Sequence, residues 1–200
     1  MARFPIFVEL GDCLVVGGGT VAARKTKLLL DYGARVTVVA REVGAAMQAL
    51  AATVAASALR LQLCLHTKPF EASDVAGMDY VIAATDDGDC NRAVAAACRA
   101  QHIPVNVVDV PALCDFYVPA LVRRGDLVVA VGTDGKSPAF ARAVKERIDT
   151  VLPQALGAQL DAAATLRAEL LQHGKSPAHD SGYSALIASA FSGSAGEGSE

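Results

Sequence analysis

The chain has 200 residues, of which 52% are hydrophobic and 20% charged, enough for one full domain with an appendage and an apolar core. Its net charge of −3 excludes a nucleic-acid-binding protein that relies on bulk electrostatic attraction. No stretch approaches the roughly 20 apolar residues of a membrane span, and the N-terminus lacks the apolar region of a signal peptide. The five cysteines, odd in number and without zinc-site spacing, indicate structural thiols in a protein of the reducing cytoplasm.

The chain up to Asp109 alternates between short apolar runs and helical patterns. Strands are predicted at 12–16, 35–40, 59–65, 79–83 and 104–108, and helices at 20–32, 45–57 and 91–101. Several of the runs are continuously apolar or β-branched, which is typical of buried parallel strands. The alternation predicts an α/β fold, with a Rossmann-like parallel sheet and helices on both faces.

The pattern changes after Asp109. Two strand-like runs at 116–122 and 127–131 flank residues 123–126, which are typical of a hairpin turn. A protruding hairpin is a common means of dimerisation, so this segment is a candidate interface.

Two helices are predicted beyond the hairpin. Ser137 is a favourable N-cap and Pro138 a favourable first residue for a helix that runs to about Leu152. A second helix at 154–172 carries leucines at helical spacing, and the Gly-, Ser- and Ala-rich residues from Lys175 onwards are expected to be mostly flexible. The expected domains are a Rossmann domain at 1–112, a dimerisation segment at 113–150, a small helical domain at 151–174 and a flexible tail at 175–200.

A glycine-rich loop lies between the first strand and the first helix. Residues 17–22 fit G-x-G-x-x-A: Gly17 permits a tight turn, Gly19 lets a pyrophosphate approach the backbone, and Ala22 lets helix and strand pack closely. A glycine pattern alone is also explained by a plain turn, but this one follows a strand and opens a helix, the context that dinucleotide binding requires. It predicts phosphate binding at the N-terminus of the helix. The predicted contacts are Gly17, Gly18, Gly19, Thr20 and Val21.

The acidic residue that usually ends the second strand of such folds is missing from its standard place. Arg41 and Glu42 follow the strand, near the expected adenine ribose. Glu42 can bind a ribose hydroxyl, whereas Arg41 can accept the 2′-phosphate of NADP. Both are explained equally well as ordinary surface charges. NAD is the expected cofactor, and this position leaves NADP open.

Small residues follow the fourth strand, at the end of the sheet where ligands bind in open α/β folds. Ala83, Ala84 and Thr85 leave room beside a nicotinamide ribose. The alternative is a simple strand-to-helix turn in which Asp86 or Asp87 caps the next helix. The cofactor contacts expected here are Ala84, Thr85 and Asp86.

Five motifs occur in a fixed order along the chain, and as a set they are specific. They lie at 5–7, 16–25, 83–87, 106–109 and 135–138. With them the chain resembles precorrin-2 dehydrogenase, the N-terminal part of siroheme synthase, over about residues 4–170. The resemblance implies a homodimer that oxidises precorrin-2 to sirohydrochlorin with NAD, and in some members ferrous iron insertion into sirohydrochlorin. The family's methyltransferase domain is absent from this sequence, so methylation of uroporphyrinogen is not expected.

The family's key aspartate corresponds to Asp109, just past the fifth predicted strand at the ligand end of the sheet. Oxidation of the macrocycle also releases a proton, and a carboxylate in this position can accept it. Without the resemblance, a single Asp after a strand is more readily explained as a loop cap. We expect Asp109 to be the catalytic residue.

The resemblance also places Ser137 near the substrate, with Lys136 where the family usually has Thr; a helix cap is the simpler role for Ser137. Precorrin-2 carries many carboxylates, and the cations between residues 123 and 147 outnumber the acidic residues there. They can hold the acidic substrate, or form a solvated helix face. The expected substrate contacts are Ser137, Lys136, Arg123, Arg124 and Arg142.

Two alternatives to a pure dehydrogenase remain open at this stage. One is iron insertion at the same site; no His or Cys pair forms a stable iron site, so no metal-binding residue is expected. The other is a regulatory NAD-sensing module without catalysis, for which the same glycine loop would serve. The Asp109 segment and the basic hairpin region argue against the sensor.

Overall fold

The computed structural model describes residues 6–57 and 62–191, and the chain divides into two units between Tyr117 and Val118. The first unit is a parallel sheet with helices. Its strands are β1 (Asp12–Val16), β2 (Arg35–Ala40), β3 (Gln62–Thr67), β4 (Tyr80–Ala83) and β5 (Val105–Val107). Its helices are α1 (Thr20–Asp31), α2 (Ala45–Ala56) and α3 (Gly88–Ala100). The predicted Rossmann-like α/β class is confirmed.

The strand order β3-β2-β1-β4-β5 places β1 at the centre of the sheet. The chain runs outward from β1 to β3, then crosses to β4 on the other side of β1. Val16 at the end of β1 is level with Val39 of β2 and Ala83 of β4, so these carboxyl ends lie at one edge. In sheets of this kind, ligands bind beyond the carboxyl ends where the strand order reverses. The expected site is therefore beyond β1 and β4.

The core of the first unit is aliphatic, as the absence of Trp requires. Leu14, Val81 and Val105 are fully buried in the sheet, and Val94 and Cys98 of α3 pack into the same cluster. Burying one such aliphatic side chain contributes about 1.5–3 kcal/mol. These strands are nearly continuous apolar runs because helices cover both faces of a parallel sheet of this kind.

Two elements of the first unit have boundaries that differ from the sequence prediction by more than one residue. The third strand was expected at 59–65 and is observed at Gln62–Thr67, while residues 58–61 lie outside the described part of the chain. The third helix was expected from Asn91 and begins at Gly88, because the Asp87 carboxylate accepts hydrogen bonds from the first-turn N–H groups of Asp89 and Cys90.

The second unit consists of an antiparallel hairpin and helices. The hairpin pairs β6 (Ala120–Arg124) with β7 (Leu127–Val131), and the helices are α4 (Pro138–Val151), α5 (Leu156–Gln172) and α6 (Ser181–Ser189). The hairpin packs against α4, β7 contacts α5, and α5 contacts α6. Residues 118–150 of the expected dimerisation segment therefore lie in the same unit as the expected small helical domain.

The chain from Lys175 differs from the flexible tail expected at 175–200. Ser181–Ser189 forms α6, whose start is capped by the Asp180 carboxylate, 2.9 Å from the Tyr183 N–H. This helix packs against α5, and the contact stabilises it. Its sequence alone carries no strong pattern that predicts a helix. Residues 192–200 lie outside the described part. Among the described residues, no helix combines the length and the apolar character that a membrane crossing needs.

Arg124, predicted as a substrate contact, has a structural role in the fold, and substrate binding by it stays a prediction. Residues 123–126 were expected to be the hairpin turn, but β6 continues through Arg124 and the turn is formed by Gly125 and Asp126. Arg124 is 8% exposed, and its Nη2 donates to the carbonyl oxygens of Asp149 (2.9 Å) and Leu152 (3.2 Å) at the end of α4. The same nitrogen pairs with the Asp149 carboxylate at 2.9 Å. Arg124 therefore ties α4 to the hairpin.

We expect Arg124→Met to lower the free energy of unfolding by about 2 kcal/mol, because two carbonyl groups lose a charged donor. Urea unfolding followed by circular dichroism measures the change. Arg123→Met is the matched control: this neighbouring arginine is exposed, its Nε donates to the Gly125 carbonyl at 2.7 Å, and its ion pair with Asp126 is 3.8 Å long, so the loss should stay below about 1 kcal/mol. Equal losses in the two variants would contradict the structural role of Arg124.

Candidate functional site

The glycine loop after β1 is shaped by the two loops beside it. Gly17 has φ +130°, and a Cβ there would overlap the carbonyl oxygen of Ala84; a Cβ on Gly18 would overlap the carbonyl oxygen of Glu42. Gly19 differs, because nothing lies within 4 Å of the position of its missing Cβ. Gly17 and Gly18 are thus required by the fold itself, whereas Gly19 faces open space.

The start of α1 has no side-chain cap. Gly19 is the N-cap residue, and no side chain accepts a hydrogen bond from the first turn of the helix. The neighbouring Thr20 and Val21 are exposed. The loop after β2 is attached to this region, since the Gly44 N–H donates to the Gly18 carbonyl at 3.0 Å. A helix start with unpaired N–H groups and open space in front of it is an anion-binding arrangement.

The residues after β4 complete this edge of the sheet. The Ala84 N–H donates to the Val16 carbonyl of β1 at 2.8 Å, which places Ala84 beside the glycine loop. Thr85 is half-buried, and its hydroxyl donates to Oδ1 of Asn91 at 2.8 Å; the Asn91 amide donates back to the Thr85 carbonyl at 3.0 Å. Thr85 therefore shapes the loop through its own hydrogen bonds. Asp86 is exposed, and Asp87 is the cap of α3.

Asn91 was missed by the sequence analysis, although it is 6% exposed and holds the Thr85 loop. We expect Asn91→Ala to cost about 1–3 kcal/mol of stability, because it removes the amide donor of the Thr85 carbonyl, while the Thr85 hydroxyl keeps the Asp87 carbonyl as its acceptor at 3.1 Å. Urea unfolding measures the loss. Arg92→Ala, at an exposed neighbour paired only with Asp89 among the contacts described, should cost less than about 0.5 kcal/mol. If both variants unfolded like the wild type, the Thr85–Asn91 contact would carry no stability.

Asp109 lies in a loop that is fastened to β5 at both ends. Its own backbone is left-handed, with φ +60°, and its side chain is exposed. Cys114 Sγ lies 3.3 Å from the Val107 nitrogen and 3.1 Å from the Val107 carbonyl oxygen. The next residue, Asp115, donates its N–H to the Val105 carbonyl at 2.8 Å. These contacts hold the Asp109 loop at the carboxyl end of β5, on the same edge as the glycine loop.

Three comparisons with known proteins bear on this site. The family described as "Putative NAD(P)-binding" matches residues 6–120. The chain belongs to this NAD(P)-binding family. Siroheme synthase of Methylococcus capsulatus is 48% identical over 174 residues, which cover 86% of this chain and 35% of the relative. Siroheme synthase of Methylobacillus flagellatus is 44% identical over 174 residues, covering 86% and 36%. The chain thus spans about a third of the length of these curated relatives.

A solved structure matches nearly the whole of this chain. The protein titled "SirC, precorrin-2 dehydrogenase" is 25% identical, with a TM-score of 0.69, and the match covers 96% of this chain and 90% of that one. Together with the siroheme synthases, it confirms the resemblance predicted from the five sequence motifs. It also confirms the expected fold class.

The residues at the edge of the sheet fit the nicotinamide dinucleotide that an NAD(P)-binding domain takes. The uncapped start of α1 and the open space at Gly19 provide for its phosphates. The structure brings all ten predicted cofactor contacts to this edge of the first unit. They are Gly17, Gly18, Gly19, Thr20, Val21, Arg41, Glu42, Ala84, Thr85 and Asp86. Binding by each of these side chains stays a prediction.

Lys25 is a second residue of the NAD(P)-binding unit that sequence reasoning passed over. It is half-buried on α1, and burial, together with the Arg24 charge, lowers the pKa of its ammonium group. The Asp109 carboxylate and Cys114 act in the opposite direction, so Lys25 is within electrostatic range of the Asp109 loop. The available signal was its helical spacing: Lys25 lies three residues after buried Ala22, at the border of the apolar face of α1.

The remaining predicted substrate contacts belong to the second unit. Ser137 caps α4, since its Oγ accepts a hydrogen bond from the Phe140 N–H at 3.2 Å. Lys136 and Arg142 are exposed. Arg123 donates from Nε to the Gly125 carbonyl at 2.7 Å. The simpler role of Ser137 as a cap is thus observed, and substrate binding by these four residues remains a prediction. In the described ranges, no three His, Cys, Asp or Glu side chains gather as a metal site would need.

Proposed function

We propose that this chain oxidises precorrin-2 to sirohydrochlorin with NAD as the hydride acceptor. The observation that carries the proposal is the common location of two features: the uncapped, open start of α1 and the Asp109 loop lie at the same edge of one sheet. The names of the siroheme synthases and of the precorrin-2 dehydrogenase structure support this choice of substrate. The NAD(P)-binding family supports the choice of cofactor.

The oxidation removes a hydride and a proton from the macrocycle. When bound, the dinucleotide supplies the acceptor for the hydride. Asp109 accepts the proton: a carbon–hydrogen or nitrogen–hydrogen bond breaks, its electron pair stays in the macrocycle, and the carboxylate passes the proton to solvent. The fastened loop limits the positions that this carboxylate can take, which favours a defined geometry for proton transfer.

The acidic substrate and a second copy of the chain complete the proposal. We assign Lys136, Ser137, Arg123 and Arg142 to the carboxylates of precorrin-2, since three of the four are cations with exposed side chains. The hairpin is the proposed homodimer contact. Within the described residues, β6 and β7 pair only with each other, so each has an outer edge that no other strand covers.

The direct test is an assay of purified protein with precorrin-2 and NAD. We expect NADH to form, seen as a rise in the absorbance of the reduced nicotinamide, with sirohydrochlorin as the second product. Folded protein that binds NAD but forms no NADH would overturn the proposal and favour the sensor. A separate incubation with sirohydrochlorin and ferrous iron, without NAD, tests the iron insertion expected from the resemblance.

A further inference from the structure

An ion pair crosses the edge of the sheet above the glycine loop. Arg41 follows directly after β2, and Asp87 lies in the loop after β4. In the sheet, β2 and β4 are the two neighbours of β1. The guanidinium Nη1 of Arg41 lies 3.5 Å from Oδ2 of Asp87, so the pair joins the loops on either side of the glycine loop.

The two loops that carry this pair pack closely against the glycine loop through their backbones. The carbonyl oxygen of Glu42, next to Arg41, lies where a Cβ on Gly18 would be. The carbonyl oxygen of Ala84, in the same loop as Asp87, lies where a Cβ on Gly17 would be. The Arg41–Asp87 pair therefore lies close to the expected phosphates and adenine ribose of a dinucleotide, not elsewhere on the surface.

Asp87 is also the N-cap of α3, and this role fixes the position of its side chain. Its Oδ1 accepts hydrogen bonds from the backbone N–H groups of Cys90 (3.0 Å) and Asp89 (2.9 Å), while Oδ2 faces Arg41. These backbone hydrogen bonds and the Arg41 charge hold the pKa of Asp87 below its usual value, so the carboxylate is ionised at neutral pH. The start of α3 therefore holds a fixed negative charge on the Asp87 carboxylate.

We propose that Asp87 selects NAD over NADP by neutralising Arg41. The inference rests on the proposed function only in assuming that the site takes a nicotinamide dinucleotide. A 2′-phosphate at the adenine ribose is attracted by Arg41, but it is repelled by Asp87 and by the exposed Glu42. These three side chains sum to one negative charge, so the phosphate gains nothing from the site. The uncharged 2′-hydroxyl of NAD meets no such repulsion.

The test compares the affinities of NAD and NADP by isothermal titration calorimetry, which does not depend on turnover. Asp87→Asn removes the charge and keeps a side-chain oxygen that caps α3, because Asn and Asp are equally good N-caps. We expect it to strengthen NADP binding by about tenfold, the size of one close charge interaction in solvent. NAD binding should stay within about twofold of the wild type, since no charge meets the 2′-hydroxyl.

Two further variants isolate the effect. Asp89→Asn makes the same charge change on an exposed side chain of α3 that pairs with Arg92; both affinities should stay within about twofold. Adding Arg41→Gln to Asp87→Asn should cancel the gain for NADP. If Asp87→Asn were unstable, Asp87→Ser would repeat the test, because serine also caps a helix without charge.

The outcomes separate this inference from the proposed function. An unchanged ratio of NADP to NAD affinity in folded Asp87→Asn protein overturns the selection by Asp87. The selection by Asp87 is also overturned if Asp89→Asn shifts the ratio of NADP to NAD affinity by the same factor. If wild-type protein binds NAD and Asp87→Asn shows the shift, but the wild type fails to oxidise precorrin-2, the proposed reaction alone is overturned. Protein that binds neither dinucleotide overturns both.

Discussion

Replacing Gly19 by alanine should weaken NAD binding at least tenfold and leave the fold intact. Gly19 has φ −80°, which alanine adopts readily, and nothing lies within 4 Å of the added Cβ. The new methyl group would project into the open space before α1, where the fold places a pyrophosphate. The cost to stability is that of a poorer N-cap, below about 1 kcal/mol. Calorimetric titration with NAD and a thermal unfolding curve measure the two effects.

Gly17→Ala is the matched control from the same loop. Its backbone has φ +130°, and the added Cβ would overlap the Ala84 carbonyl oxygen, so the loss should appear as instability of more than about 2 kcal/mol. The contrast separates a glycine that the fold needs from one that the ligand needs. Wild-type affinity for NAD in folded Gly19→Ala protein would mean that the phosphates do not lie at the start of α1.

The glycine loop and the parallel sheet could be predicted because their signals are local. A buried apolar strand, Gly17 and Gly19 at fixed spacing, and a helix with Ala22 on its apolar face are all present within twenty consecutive residues. The alternation predicts the parallel sheet, whereas the strand order that places β1 at its centre is given by the structure. The edge that holds the cofactor follows from this topology.

Roles that depend on distant partners could not be predicted in this way. Arg124 resembles a turn residue beside Arg123, and only the fold shows that the end of α4 needs its guanidinium. Lys25 and Asp109 are far apart in sequence, so their mutual influence requires the packed sheet. Asp87 was considered only as a cap, because nothing local to it indicates that Arg41 follows the neighbouring strand.

Asp109→Asn should lower the rate of precorrin-2 oxidation by about 10²–10⁴-fold, the usual contribution of a positioned acid–base group. The substitution is well suited to this position, because Asn tolerates the left-handed backbone that Asp109 adopts at φ +60°. Alanine would add backbone strain of about 1 kcal/mol, so a lower rate could not be assigned to the loss of the carboxylate alone. Steady-state NADH formation gives the rate, and calorimetric titration checks that NAD affinity stays within about twofold, since the variant leaves the phosphate contacts intact.

His102→Asn is the control for placing Asn at a left-handed position. His102 has φ +58° and is exposed before β5, at the end of that strand away from Asp109, so rate, affinity and stability should all match the wild type. If Asp109→Asn kept most of its turnover, the proton would leave by another route. A loss of NAD affinity in place of turnover would make Asp109 part of cofactor binding. Only a loss confined to turnover assigns the proton transfer to the carboxylate.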